Sequence, residues 1–229
     1  MAPPKDFNIA IIGGGIAGLT LAIALHERNV PVQIYERAKH FREIGAGVSF
    51  SGNAIDAMNV CHSGVQGGFD RVATHNGWPS KSTVWFDYYD GMAREMDQSK
   101  NLFSVTTRVG QNGLHRADFL SELVKLFPAE RAHFGKRLED ITEGADGKLV
   151  MRFGDGSTAE ADAVIGCDGV HSRVRRILVG PDHPAAEPTY THKYAYRGVV
   201  PMGEAIKAVG EEKARNASFY VSALEICDI

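Results

Sequence analysis

The chain has 229 residues, 44% of them hydrophobic and 23% charged. That is the make-up of an ordinary globular protein, long enough for one large domain or two small ones. Its 25 basic and 28 acidic residues give a formal charge of −3, and its three cysteines and nine histidines show no metal-type spacing; nucleic-acid binding and a metal centre are therefore not expected.

The first element is also the most informative. Ile9 to Ile12 is an apolar run with the length of a buried parallel strand. Gly13, Gly15 and Gly18 follow in G-x-G-x-x-G register, and a second short strand, Val32 to Tyr35, ends at Glu36, 18 residues after Gly18. Each residue type has a reason in a βαβ unit that holds a dinucleotide. Gly13 permits a sharp turn, Gly15 lets backbone approach a pyrophosphate, and Gly18 lets the helix pack close to the sheet. The helix start offers unpaired N–H groups to phosphates, and Glu36 can accept from ribose hydroxyls. A glycine-rich core turn with a solvated Glu36 is the plainer alternative. Ile9 to Leu25 carries no charge, but seventeen residues with four glycines are poor material for a membrane span. Met1 to Asp6 lacks the basic start of a signal peptide.

A helix from Gly13 to Arg28 is expected, apolar on most sides and so covered on most sides. Gly45, Ala46 and Gly47 form a small, flexible cluster, against which a flat ring system can lie; a tight loop is the alternative. A short helix is expected over Ala54 to Met58, and residues 61–80 read as a surface connection. Thr83 to Tyr89 is strongly β-prone, with Asp90-Gly91 as a hairpin turn that opens an antiparallel region. Gly113 to Asp118 opens a helix reaching Phe127, with Phe119, Leu120, Leu123, Val124 and Phe127 as its buried stripe. Arg116 near that helix start opposes the macrodipole unless an anion such as a phosphate offsets it, or unless it pairs with Asp118 or another nearby acid.

Residues 148–167 read as three strands: Lys148 to Phe153, Thr158 to Asp162 and Ala163 to Cys167. The last leads to Asp168-Gly169 and to a helix with Ser172 as its N-cap. An acid at the carboxyl end of a strand stands where open α/β sheets bind ligands, though a lone Asp-Gly is only a turn. Arg173, Arg175 and Arg176 read as a solvated basic face, with an NADPH phosphate as the alternative. Tyr194 to Val200 alternates as a strand that sets Ala195, Arg197 and Val199 on one face. An arginine there is either an ion-paired structural residue or an anion hook in a pocket.

Five stretches together resemble the flavoprotein aromatic monooxygenases of the salicylate hydroxylase type, in particular their fungal phenol-dearomatising members of the tropolone and sorbicillin pathways. They are G-G-G-I-A-G with Glu36, R-E-I-G-A-G-V (42–48), G-L-H-R-A-D-F-L (113–120), D-A-V-I-G-C-D-G-V-H-S-R-V-R (162–175) and H-K-Y-A-Y-R-G-V-V (192–200). The resemblance implies an α/β fold: a Rossmann-like FAD-binding domain over residues 1–77 and 103–180, and an incomplete, mostly antiparallel β substrate domain over 78–102 and 181–229. It implies FAD on Gly13, Gly15, Gly18, Glu36, Ala46, Gly47, Arg116 and Asp168, with NADPH as co-substrate. It also implies a small phenolic or polyketide-derived aromatic substrate and O2, with Arg197 binding the phenolate that attacks a flavin C4a-hydroperoxide.

Members of that family are longer, and no G-D-A-A-H-type motif for the flavin ribityl chain stands in this sequence. The resemblance also fades from Ser222 onward. A C-terminally truncated member is therefore the expectation, and a catalytically inactive nucleotide-binding remnant is the alternative function. An NAD(P)-dependent dehydrogenase fits the first motif but not the second and third. The expected location is cytoplasmic, with buried or free thiols at Cys61, Cys167 and Cys227.

Overall fold

The computed structural model describes residues 6–41, 47–95 and 99–222. In chain order the elements are β1 (Ile9–Ile12), α1 (Ile16–Glu27), β2 (Val32–Glu36), β3 (Gly47–Ser49), α2 (Gly52–Cys61), α3 (Ser63–Val72), β4 (Val84–Asp90), β5 (Asn101–Thr106), β6 (Gly113–His115) and α4 (Arg116–Val124). Then come β7 (Ala132–Phe134), β8 (Leu138–Glu143), β9 (Leu149–Phe153), β10 (Thr158–Ala161), β11 (Ala163–Gly166), α5 (Arg173–Val179), α6 (Met202–Val209), α7 (Glu211–Arg215) and β12 (Ser218–Val221). Among the described residues no helix is long and apolar enough to cross a membrane.

The chain divides into two compact units. The first comprises Met1–Gly45, Ala57–Arg71 and Arg116–Tyr194. It is built on a four-stranded parallel sheet in the order β11-β1-β2-β7. β1 is buried on both faces, as its unbroken apolar run requires. Ile11 and Ile34 stand level on one face of the sheet, and Ile12 and Tyr35 on the other. α1 packs on β2 and on α4, and the rings of Phe69 (α3) and Phe119 (α4) meet edge to face at 6.0 Å.

The antiparallel sheet β10-β9-β8 supplies the second half of this core. Met151, Phe153 and Ala161 join Ala10, Ile12 and Tyr35 in one cluster. The Tyr35 ring stacks between Phe153 at 4.9 Å and His133 at 5.0 Å. Asn8 and Asp162 close the edge reciprocally, each side chain accepting from the other's backbone N–H at 2.7 and 2.8 Å.

The second unit comprises Ala46–Asp56, Val72–His115 and Ala195–Ile229. β12 lies parallel to β4, and β5 runs antiparallel on the other side of β4. β3 and β6 form a separate antiparallel pair. Under one face of the larger sheet sits a buried ionic network. Asp87 is 1% exposed and accepts from Lys81, from Ser104 Oγ at 2.5 Å and from Asn101 Nδ2 at 3.2 Å. Lys81 also reaches Glu212 in α7 at 2.8 Å.

Several expectations are corrected. Residues 61–80 are not simply a connection, since α3 occupies Ser63–Val72 and buries Val65, Gly68 and Phe69. Its glycines masked the pattern, yet one of them is needed: a Cβ on Gly68 would stand 3.0 Å from Glu122 Cβ on α4. Asp90-Gly91 does not make a two-residue hairpin, because β4 returns only at Asn101 and the Gly91 N–H bonds the Val221 carbonyl at 2.7 Å. Gly113 to His115 is a strand, so the helix begins at Arg116, and it ends at Val124, with Phe127 buried just beyond. Tyr194 to Val200 forms no strand; Tyr196 and Val199 are almost fully exposed, and two short helices precede β12. The sequence alternates there, but among the described residues no strand pairs with it.

Burial alone would raise the Asp87 pKa, but the hydrogen bonds from Lys81, Ser104 and Asn101 and the Lys81 charge outweigh it and hold the carboxyl below its usual range. A depressed folded pKa gives stability that is complete above the unfolded value, about 3.9, and lost as pH falls through the folded one. Asp87→Asn is therefore expected to lower stability near neutral pH by about 3 kcal/mol and to flatten the loss of stability on acidification, as read from urea melts between about pH 3 and 7.

Candidate functional site

The first unit builds its site from a junction where only backbone fits. β1 ends at Ile12 and the chain turns at Gly13 with φ +106°, a conformation that disfavours any side chain. A Cβ on Gly13 would lie 2.4 Å from the Cys167 carbonyl oxygen, and one on Gly18 would lie 2.0 Å from the Gly13 carbonyl oxygen. Strand β11, the loop and helix α1 thus meet through main chain. Gly15 is the N-cap of α1; no side chain caps the helix, and its first turn holds no acid. The N–H groups and positive dipole end are therefore left for an anion.

Glu36, at the end of β2, is fixed by two backbone donors. Its Oε2 accepts from the Gly14 N–H at 2.7 Å and its Oε1 from the Ala38 N–H at 2.8 Å. Each carboxylate oxygen has a further lone pair free to accept from a hydroxyl. The Phe41 ring lies over Gly14, where a Cβ would approach it to 2.7 Å, and packs edge-on against Phe134.

These groups line a cleft of about 720 Å³ with Tyr35, Arg37, Arg116, Leu138, Cys167, Asp168 and His171, within the range of about 300–1,000 Å³ that cofactor sites occupy. Arg116 enters it from the first position of α4. Burial, and then the neighbouring Asp168 charge, push the Cys167 thiol up, so it stays neutral beside the uncapped start of α1. Glycines where a Cβ would fill the cradle, a bare helix start and an acceptor-rich Glu36 form a donor and acceptor set that fits a dinucleotide such as FAD.

The sequence-expected residues divide into two groups. Gly13, Gly15, Glu36, Arg116 and Asp168 come together in this cleft, with Gly18 directly behind the loop. Asp168 holds the chain as well as facing the cleft. Its Oδ1 accepts from Ser172 Oγ at 2.6 Å and its Oδ2 from the Arg173 and Val174 N–H groups at 2.6 and 3.1 Å. Ser172 caps α5 as expected, accepting from the Arg175 N–H at 3.0 Å.

Gly47 and Arg197 lie in the second unit, where Arg197 Nη1 stands 3.4 Å from the Gly47 carbonyl oxygen. A Cβ on Gly47 would meet nothing within 4 Å. Ala46 lies outside the described residues. The basic run after Asp168 is not a free face: Arg173 donates to the Glu139 carbonyl, Arg175 to the Val170 and Ala186 carbonyls, and Arg176 to Glu187. Not expected from the sequence were Lys136, Arg137 and Arg152, which also line the cleft. Their only signal was the adjacent basic pair at 136–137 and the strand alternation that places Arg152 outward.

This geometry defines a nucleotide-binding α/β unit, and comparison with known proteins agrees. Residues 6–195 match the family described as FAD binding domain, and the chain belongs to that family. It is similar to the FAD-dependent monooxygenase pigN of Monascus ruber, 50% identical over 213 residues that cover 91% of this chain and 48% of that protein. It is similar also to the 6-methylsalicylate 1-monooxygenase atA of Aspergillus terreus, 48% identical over 89% of this chain and 46% of that protein. A solved salicylate hydroxylase substrate complex superimposes with a TM-score of 0.75 and 32% identity, over 94% of this chain and 50% of that one. The chain spans about half the length of the curated relatives it matches.

Gly18→Ala is expected to cost at least ~2 kcal/mol of stability, because the methyl must displace the Gly13 carbonyl rather than a flexible side chain. Chemical denaturation checks this, and a loss below about 0.5 kcal/mol, the size of an ordinary surface substitution, would contradict the backbone junction.

Proposed function

We propose that the chain holds FAD in the cleft of its first unit, as part of an NAD(P)H-consuming monooxygenase that hydroxylates a phenolic or polyketide-derived aromatic. The observation that carries this reading is the uncapped, glycine-built start of α1 facing the same cleft as Glu36. The diphosphate would take the α1 N–H groups and the charge of Arg116, and the adenosine ribose would donate to Glu36. Asp168 acts by holding the β11–α5 corner open beside the loop. The names of the relatives support an aromatic substrate and O2. When bound, FAD supplies the redox chemistry that makes O2 reactive toward an aromatic ring.

The residues of the second unit would supply the substrate's charge partner. Arg197 is exposed, and among the described residues no carboxylate pairs with it. A guanidinium beside a phenol favours the phenolate, which is the more electron-rich ring. Gly47 needs no hydrogen in place of a side chain to satisfy its own neighbours, so the open space there is compatible with a flat ring lying against backbone. In this reading residues 1–77 and 103–180 serve the cofactor, and 78–102 and 181–229 the substrate.

Two measurements test the proposal. The purified chain mixed with FAD is expected to show a visible flavin spectrum and quenched flavin fluorescence. Glu36→Ala should weaken that binding by about 10- to 100-fold, since the ribose hydroxyls lose a charged acceptor. A colourless wild type that takes up no flavin ends the reading. For the substrate side, NADPH oxidation is followed with salicylate and 6-methylsalicylate. Arg197→Ala should lower kcat/KM by about 10- to 100-fold, and Arg197→Lys by less, because lysine keeps the charge but not the fork. Flavin binding without stimulated NADPH oxidation would leave nucleotide binding and remove the hydroxylase.

A further inference from the structure

The cleft carries more positive charge than one diphosphate needs. Arg37, Arg116, Lys136, Arg137, Arg152 and Arg173 line it, against the carboxylates of Glu36, Glu139 and Asp168. Several of these cations already have work in the fold. Lys136 is held by Asp155 at 2.6 Å and Ser157 at 2.7 Å, and Arg173 lays its fork on the Glu139 carbonyl at 2.9 and 2.6 Å. Arg175 and Arg176, which the sequence offered as a phosphate site, are committed to the Val170 and Ala186 carbonyls and to Glu187.

Arg137 and Arg152 differ from these. They converge on one carboxylate, Glu139, at 3.5 and 2.5 Å, while their side chains remain 73% and 55% exposed. Arg152 has a second, looser partner in Asp140 at 3.9 Å. Glu139 and the looser Asp140 balance the charge of the two guanidiniums, but with 73% and 55% of the side chains exposed several N–H donors still face solvent at the cleft rim. Their place is fixed by main chain. The Lys136 N–H bonds the Glu36 carbonyl at 2.9 Å, and the Gly154 N–H bonds the Arg137 carbonyl at 2.9 Å. Arg137 and Arg152 thus line the same cleft as Glu36, next to the segment that pairs with the Glu36 main chain. A carboxylate at Glu36 would repel a phosphate carried by a ribose bound to it, so a phosphate monoester at the rim would come from a second nucleotide.

We infer that Arg137 and Arg152, gathered on Glu139, form the site for the 2′-phosphate of NADPH and so set a preference for NADPH over NADH. The inference rests on the reading that the chain uses FAD with a nicotinamide reductant. NADPH differs from NADH by one phosphate monoester, and an exposed pair of forked donors recognises that group while adding little to the rest of the nucleotide.

The test is calorimetric titration of the 229-residue chain, after incubation with FAD, with 2′,5′-ADP and with 5′-AMP. The wild type is expected to bind 2′,5′-ADP about tenfold or more tightly than 5′-AMP, and Arg137→Gln and Arg152→Gln each to remove most of that preference, with the 5′-AMP affinity unchanged. Arg137→Lys should keep part of it. Arg137 is mostly exposed and its ion pair is long, so its removal leaves folding intact; circular dichroism checks this. Equal affinity of the wild type for the two nucleotides overturns the inference, as does a preference that survives both glutamine variants. Flavin content is read by absorbance on the same samples. A preference for 2′,5′-ADP in a chain that takes no flavin supports the phosphate site and sinks the FAD reading instead.

Discussion

The first unit depends on one steric fact: three pieces of main chain share a space that has no room for a methyl group. The Gly13 peptide lies against the Cys167 carbonyl on one side and the Gly18 backbone on the other. This contact brings the start of α1 to the carboxyl ends of β1 and β11, and it leaves the helix end uncapped and facing outward. The exposed N–H groups of α1 follow from that placement, because a helix start buried under side chains would offer an anion nothing. The same glycines that allow this close approach leave the α1 N–H groups without a side-chain cap.

Around that cradle, polar side chains serve structure and site at once. Glu36 is locked by two N–H donors and still has acceptor capacity. Asp168 uses both oxygens to hold the corner that leads into α5. Arg173 ties α5 to β8 through the Glu139 carbonyl, and so helps fix the carboxylate on which Arg137 and Arg152 meet. The neutral Cys167 thiol adds no negative charge to this surface. The second unit has its own fixed point in Asp87, a fully buried carboxylate whose burial is offset by a lysine and two side-chain donors.

Membership of the FAD binding domain family and the likeness to fungal monooxygenases agree with this geometry. The matched region covers about half of each of those relatives.

The sequence by itself determined the elements whose signals are local. The Ile9 to Ile12 run, the glycine register, Glu36 at the next strand end and the Asp168–Ser172 corner all stand where their residue types predict, because turn sterics, capping and burial of an apolar run act over a few residues. Tertiary structure decided the rest. It made a helix of the glycine-rich Ser63–Val72, since Phe69 has a ring to pack on and Gly68 a neighbour to admit. It left Tyr194 to Val200 without a strand, since alternation needs a partner with free N–H and C=O groups. It also gathered Lys136, Arg137 and Arg152 at the rim of the cleft, through pairings between β8 and β9 that bring positions 15 residues apart onto one carboxylate. Residues far apart in the chain meet only once the sheets are paired, and no local pattern records which of them will.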